Sequence, residues 1–234
     1  MKHITMAMAL LLSVGVFAQT NADLKKHYKT FLETMKTRGD VQGVINAHTH
    51  LDILEPSVER KDTLAYLYLS NGNYMQALNT IGIEKNEGDS NMNTEVKALA
   101  LKSLNRPKLA LEHYEVLFKR DPNPTLAYEI ADMKVQVDDL VGAKSNIEYG
   151  LTNVKDDMKH AFYETQQPYE ASLKAAFLCL KGLLVFKENQ DTNLNVALKL
   201  MNEALEVDPN FNLARISRDA LEAQKAQKTT TTKN

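Results

Sequence analysis

The chain has 234 residues, a formal net charge of −2 and 44% hydrophobic residues, with no tryptophan and one cysteine. This charge does not favour binding to nucleic acid, which requires basic surfaces. The single cysteine, Cys179, excludes an intramolecular disulfide, so stability has to come from a packed core. Because Cys179 lies inside the apolar run 175–186, it is predicted to be a small buried hydrophobic residue.

The N-terminus has the pattern of a secretory signal peptide. A short basic segment precedes the apolar residues 4–17, and no acidic residue occurs before Asp23. This apolar stretch is shorter than the roughly 20 residues that span a bilayer as a helix. We expect residues 1–18 to be a signal peptide cleaved after Ala18, with cleavage after Ala22 or an uncleaved anchor as the alternatives. No cysteine stands directly after the apolar stretch, so a lipoprotein anchor is not expected.

Small or short apolar residues recur along the chain at steps of 33 residues. The series is Val44, Ala77, Ala110 and Ala143. Five positions before its members stand residues typical of tight turns, namely Gly39, Gly72, Asn105 and Asp138. Mostly apolar residues surround each small residue at helical spacing, and a second amphipathic stretch precedes each turn. Each repeat is therefore predicted to consist of two helices joined by a tight turn.

Four units of this kind follow one another at residues 25–57, 58–90, 91–123 and 124–156. An insertion is predicted at about residues 154–168, where the apolar period fades, and a last unit at residues 169–209 begins with a long apolar helix. A helix over residues 212–227 is expected to cap the array. Residues 19–226 are thus predicted to form one helical-repeat domain, and residues 228–234 a disordered tail.

These features resemble the tetratricopeptide repeat, a helix–turn–helix unit of 34 residues. The resemblance rests on the small-residue series and on the segments GNYMQAL at 72–78 and ALEVDPN at 204–210, and it covers residues 25–221. It implies an all-α fold, a right-handed superhelical solenoid of antiparallel helix pairs that binds proteins and catalyses nothing. Pro107 and Lys144 depart from the usual pattern. The start of the chain also resembles exported proteins of Bacteroidota, which implies the periplasm or the cell exterior.

Two histidines suggest the competing function, a metal-dependent hydrolase. His48 and His50, with Asp52, resemble the His-x-His metal motif of barrel amidohydrolases. Residues two apart point the same way on a strand but about 200° apart on a helix. The repeat period places them on a helix, so His48 is expected to face the neighbouring helix and His50 the solvent, with no metal and no cofactor. A second pair, His160 and Glu164, lacks a third ligand and is assigned to a solvated insertion.

In a solenoid of this type, the first helices of successive units line a concave groove. By the repeat phase, the groove is predicted to carry the side chains that bind a protein or peptide partner. They are Tyr66, Leu69, Leu99, Tyr128, Glu59, Asp62 and Glu95. This composition suits a partner with apolar anchors and basic flanks. The alternative is that Tyr66, Leu69 and Leu99 only pack between helices. Neither nucleic acid nor a membrane is expected as a partner of the mature chain.

Overall fold

The computed structural model describes residues 20–231, which contain eleven α-helices and one two-stranded antiparallel sheet. The predicted signal peptide and its cleavage site lie outside the described residues, as do the last three residues of the predicted tail. The described chain divides into two compact units, one ending at Ile81 and one beginning at Gly82, which we call the N-terminal unit and the C-terminal unit. Within residues 20–231, no helix is both long and apolar enough to cross a membrane.

The N-terminal unit consists of two helix pairs. They are α1 Asn21–Arg38 with α2 Val41–Leu54, and α3 Val58–Ser70 with α4 Tyr74–Ile81. Hydroxyl side chains begin two of these helices, because Thr20 accepts a hydrogen bond from the N–H of Asp23 and Ser57 accepts one from Arg60. Leu51 belongs to the buried cluster between α1 and α2, so this unit has an apolar core of its own.

The C-terminal unit continues the pairing of antiparallel helices and adds a hairpin. Its elements are α5 Asn91–Ser103, α6 Pro107–Arg120, α7 Pro124–Gln136, α8 Leu140–Asn153, β1 Lys159–Phe162, β2 Tyr169–Ser172, α9 Leu173–Glu188, α10 Leu194–Val207 and α11 Asn212–Thr231. Phe177 and Phe211 are fully buried in its core. Cys179 lies in the same core and is 1% exposed, which confirms the predicted burial. The last helix continues to Thr231, into the segment that the sequence assigns to the tail.

The predicted turns between paired helices are present, and each contains a residue in the left-handed region. The φ values are 68° at Gly39, 73° at Gly72, 55° at Asn105 and 67° at Asp138. Glycine adopts this conformation without a steric penalty, and asparagine and aspartate tolerate it better than most residues. The alanines of the 33-residue series are fully buried, whereas Val44 is half-buried. The helix–turn–helix repeat predicted from the sequence is therefore confirmed.

The loop after α4 belongs to the C-terminal unit. Lys97, which is 3% exposed, donates from its ammonium group to the carbonyl oxygen of Glu84 at 3.0 Å and to the carboxylate of Asp89 at 2.6 Å. A ring nitrogen of the buried His113 lies 3.1 Å from the carbonyl oxygen of Ile83. These contacts attach the loop to α5 and α6, which accounts for a boundary between units at this point.

The insertion predicted at about residues 154–168 forms a β hairpin, a feature that the sequence did not predict. Its second strand begins at Tyr169, where the sequence places the start of a helix, and that helix begins at Leu173 instead. Ser172 explains the shift: its backbone N–H donates to the carboxylate of Asp208 at 2.8 Å, and its hydroxyl oxygen accepts a hydrogen bond from the first turn of α9. The extended backbone before α9 is therefore fixed by a residue far away in the chain.

Candidate functional site

A cleft opens in the C-terminal unit between the β hairpin and the first helices of two repeats, α5 and α7. It has a volume of about 530 Å³. The helices contribute Leu99, Lys102, Thr125, Tyr128, Glu129 and Asp132. The hairpin contributes residues 159–163, in and directly after β1, and α11 contributes Leu213. We call this cavity the hairpin cleft.

Aromatic contacts hold β1 against α7. The Tyr128 ring lies 4.5 Å from the His160 ring and 6.2 Å from the Phe162 ring, measured between centroids. Phe162 in turn stacks on Tyr169 at 5.7 Å and packs against Phe211 at 4.8 Å. Each pair lies within the distance at which aromatic rings attract one another. The strand wall of the cleft is thus fixed by buried rings rather than by the two-stranded sheet alone.

The two carboxylates of the hairpin cleft differ in their partners. Glu129 forms an ion pair with Lys102, and its carboxylate lies 4.0 Å from Nε2 of His160. Burial lowers the pKa of His160 below its usual value, which favours the neutral ring. Burial raises the pKa of Asp132, whose carboxylate accepts one hydrogen bond from the side-chain amide of Gln136 at 2.8 Å. Within residues 20–231, no ion pair is formed by Asp132.

A second cleft of about 350 Å³ adjoins the first. The two share Leu99, Thr125 and Glu129, so they form a continuous track along α5 and α7. Tyr114, which is 3% exposed, lines the second cleft, and we call it the Tyr114 cleft. No hydrogen-bond partner for the Tyr114 hydroxyl is present in the described part of the chain, and burial raises the pKa of this tyrosine. An unsatisfied buried hydroxyl costs free energy of folding.

Three of the predicted groove residues line this track. Leu99 lines both clefts and is half-buried, and the exposed Glu95 lines the Tyr114 cleft. Tyr128 lines the hairpin cleft but is only 6% exposed, since its ring packs against the hairpin and against Phe177 of α9. The repeat phase thus selected residues that line these clefts, although it did not indicate how deeply Tyr128 is buried, and their role in binding stays a prediction.

The other four predicted groove residues lie on α3 of the N-terminal unit. Tyr66 is 50% exposed, Glu59 is exposed, and Leu69 is half-buried. Asp62 is only 4% exposed, which limits what its carboxylate can offer to a partner. The assignment of these four residues to a binding surface stays a prediction.

The hairpin residues of the cleft were missed by the sequence analysis. Lys159, His160 and Tyr163 come from a segment with no helical period, which the sequence pattern indicates only as a solvated insertion. The pair His160 and Glu164 does not share a helical face, because His160 lies on β1 and Glu164 lies in the turn that follows. A weak signal was available, since β-branched or aromatic residues at alternate positions are typical of strands. Four residues are too few for that signal to be decisive.

The histidine motif of the competing hydrolase lies on helix α2 rather than on a barrel strand. His48 is half-buried and burial lowers its pKa, whereas His50 is exposed and stacks on the ring of Tyr28 at 4.2 Å. His50 is exposed as predicted, although its ring packs on α1 rather than projecting freely into solvent. Within residues 20–231, no group of three histidine, cysteine, aspartate or glutamate side chains is arranged to hold a metal ion.

Known proteins resemble the chain in structure only. No family model matches the sequence, and no curated protein matches it. A tetratricopeptide repeat protein from Parabacteroides merdae superposes with a TM-score of 0.62 at 14% identity, over 88% of this chain and 75% of that one. YrrB, described as a TPR protein with an unusual peptide-binding site, gives 0.60 at 15% identity, over 82% and 90%. MamA from Desulfovibrio magneticus gives 0.59 at 12% identity, over 83% and 99%.

The stacked antiparallel helix pairs place the protein in the class of α-helical repeat proteins. Within that class, the turn residues, the buried small residues and the superpositions identify the tetratricopeptide-repeat fold. The all-α solenoid fold that the sequence predicted is confirmed.

Proposed function

We propose that the protein is a non-catalytic scaffold that binds a peptide segment of a protein partner in the track formed by the hairpin cleft and the Tyr114 cleft. The observation that carries the proposal is the continuity of the two clefts along α5 and α7, with Leu99 and Thr125 between them. The combination of half-buried apolar groups and charged side chains is typical of sites where a few anchors dominate binding. A peptide-binding site is described for YrrB, which supports the proposal by analogy of fold.

The predicted residues of α3 extend this proposal to the N-terminal unit. Tyr66 and Leu69 present apolar area, and Glu59 presents a charge that would alter mainly the association rate. They are a second contact region in the proposed function, secondary to the track along α5 and α7.

Thr125 provides a test of the proposed track because it is exposed and lines both clefts. Peptides are first selected from a random linear library on the unmodified protein, and their affinities are measured by isothermal titration calorimetry. We expect Thr125→Trp to weaken their binding by at least about tenfold, since the indole occupies the space that the peptide needs. Selected peptides that bind the variant as tightly as the unmodified protein would place binding elsewhere.

Val141 provides the matched control for this substitution. It lies on α8, is 83% exposed and lines neither cleft. Val141→Trp adds the same indole at a surface outside both clefts and should leave the affinity unchanged. Both variants should keep the helical circular dichroism of the unmodified protein, because each substitution is made at an exposed position.

We also propose that the protein is exported to the periplasm or the cell exterior, after removal of residues 1–18. The proposal is supported by the basic start, the apolar residues 4–17 and the small residue Ala18 at the expected cleavage site. Mass spectrometry of the protein isolated from its native cells should find a mature chain that begins at Gln19. Cytoplasmic protein that retains Met1 would contradict export.

A further inference from the structure

The hydrogen-bonding phase of the hairpin determines which backbone groups of β1 face away from β2. The N–H of Leu173 donates to the carbonyl oxygen of Met158 at 2.9 Å, one position beyond the paired strands. In an antiparallel ladder, residues that exchange hydrogen bonds alternate with residues whose N–H and C=O point outward. Counting from this bond, His160 and Phe162 exchange hydrogen bonds with β2. The residues between them are therefore the outward-facing ones.

Lys159 and Ala161 thus direct their backbone N–H and C=O groups away from β2. On β2, the equivalent outward N–H is that of Ser172, and it donates to the carboxylate of Asp208, which agrees with this phase. Within residues 20–231, no group forms a hydrogen bond with the backbone of Lys159 or Ala161. Residues of β1 line the hairpin cleft and residues of β2 do not, so the open edge borders the cleft. An edge of this kind is a template for pairing with another strand.

Asp132 supplies a charge on the helical wall of the same cleft. Its neighbour Glu129 is paired with Lys102, whereas within the described residues no cation lies within ion-pair distance of Asp132. Lys159, the other cation of the cleft, is exposed and makes no ion pair with it. Lys102 acts on Asp132 electrostatically, but its ammonium group is already engaged by Glu129. A partly buried carboxylate that forms no ion pair of its own complements an arginine or lysine side chain, which would bind it by charge-assisted hydrogen bonds.

We propose that an extended peptide segment of a partner protein pairs with the free edge of β1 as a third strand, and that an arginine or lysine of this segment pairs with Asp132. The inference rests on the proposed function and deepens it, because it specifies the backbone conformation and the charge of the ligand. Main-chain hydrogen bonds to Lys159 and Ala161 would supply affinity largely independent of sequence, whereas the pocket at Asp132 selects the basic residue.

The backbone pairing is tested on the ligand, so that the fold of the protein is not disturbed. The probes are the peptides selected from the random linear library, each synthesised with a single N-methylated residue at successive positions. Only every second N–H of an added strand faces β1. We therefore expect a loss of about tenfold or more at alternate positions and little change between them. A uniform pattern, or a loss spaced as in a helix, would overturn the proposal.

The complementary test changes the protein instead of the peptide, by a substitution in β1. Ala161→Pro removes an outward N–H that no residue of β2 uses, and proline is tolerated at such an edge. We expect it to weaken the same peptides by about tenfold. The control Glu170→Pro removes the outward N–H of the residue opposite Ala161 on β2, which does not line the cleft, and should retain their affinity. Equal affinity of the two variants would contradict strand addition.

The charge pairing is tested by a double-mutant cycle. Asp132→Asn keeps an acceptor for Gln136 and removes the charge. We expect it to weaken a peptide that contains arginine by about tenfold, to leave the glutamine-substituted peptide unaffected, and to show no additional loss when both changes are combined. Independent, additive losses would overturn the assigned pairing.

The outcomes separate this inference from the proposed function. Peptides that lose affinity on Thr125→Trp but show no alternation on N-methylation would leave the track as the binding site and refute strand addition. Peptides unaffected by Thr125→Trp would refute both. A second copy of the chain could also pair with the free edge of β1, and sedimentation of the unliganded protein tests this alternative. A dimer that is abolished by Ala161→Pro would assign the edge to a second copy and refute a peptide partner.

Discussion

Replacement of Tyr128 by alanine is expected to lower the free energy of unfolding by about 3 kcal/mol or more. The Tyr128 side chain is 6% exposed, and its ring lies 5.4 Å from Phe177 as well as against His160 and Phe162 of the hairpin. Deletion of a buried aromatic ring removes its transfer free energy and leaves a cavity that the surroundings fill only in part. Here it also removes the surface on which the hairpin packs. Urea unfolding followed by circular dichroism measures the loss.

Tyr66 is the matched control, since both tyrosines were predicted to be binding anchors on the first helices of repeats. Tyr66 is 50% exposed, so Tyr66→Ala should change the free energy of unfolding by no more than about 0.5 kcal/mol. Tyr128→Phe, which keeps the ring, should recover most of the stability that Tyr128→Ala loses. Equal stability of the two alanine variants would show that Tyr128 does not support the hairpin.

The repeat pattern predicted the fold because its signals are local. Gly39, Gly72, Asn105 and Asp138 stand at the positions where the backbone must turn, and only a few residue types adopt positive φ there. The fully buried alanines of the same series mark where the paired helices pack closely. Each of these features is encoded within a window of a few residues, so one sequence was sufficient to find them.

The hairpin could not be predicted in the same way because its stability comes from distant residues. Phe162 packs on Phe211, and the backbone of Ser172 binds Asp208. These partners are far apart in the sequence, so a local periodic pattern does not indicate their contacts. The burial of Tyr128 follows from the same cause. The helical phase indicated the face of α7 that lines the cleft, but it did not indicate the hairpin residues that pack on the Tyr128 ring.

Consequently the candidate site was predicted only in its helical half. Leu99, Glu95 and Tyr128 were assigned to the inner face by their phase, and all three line the track. The strand half, including Lys159 and Ala161, depends on pairing that a segment without helical period does not reveal. Periodicity therefore indicates which helical residues can line a cleft, whereas the strand wall of the cleft is found only in the structure.

Replacement of Gly150 by alanine is expected to destabilise the protein by about 1–3 kcal/mol. Inside a helix this substitution usually stabilises, since glycine is less favourable than alanine by about 1 kcal/mol. Here a Cβ atom would lie 2.0 Å from Cζ of Phe177, a rigid ring that is fully buried in the core. The steric cost therefore exceeds the gain in helix propensity. The midpoint of urea unfolding should decrease, where propensity alone would increase it.

Gly182 provides the control for this sign reversal. Its nearest neighbour would be the Cε atom of Met201 at 2.8 Å, the end of a flexible side chain that can adjust. Gly182→Ala should thus cost less than Gly150→Ala. Replacing Phe177 by leucine removes the obstructing ring. In that background, Gly150→Ala should lower the free energy of unfolding by less than it does beside phenylalanine. A double-mutant cycle measures this difference as a coupling between the two sites. If Gly150→Ala alone raised the unfolding midpoint, the close packing of α8 on Phe177 would be wrong.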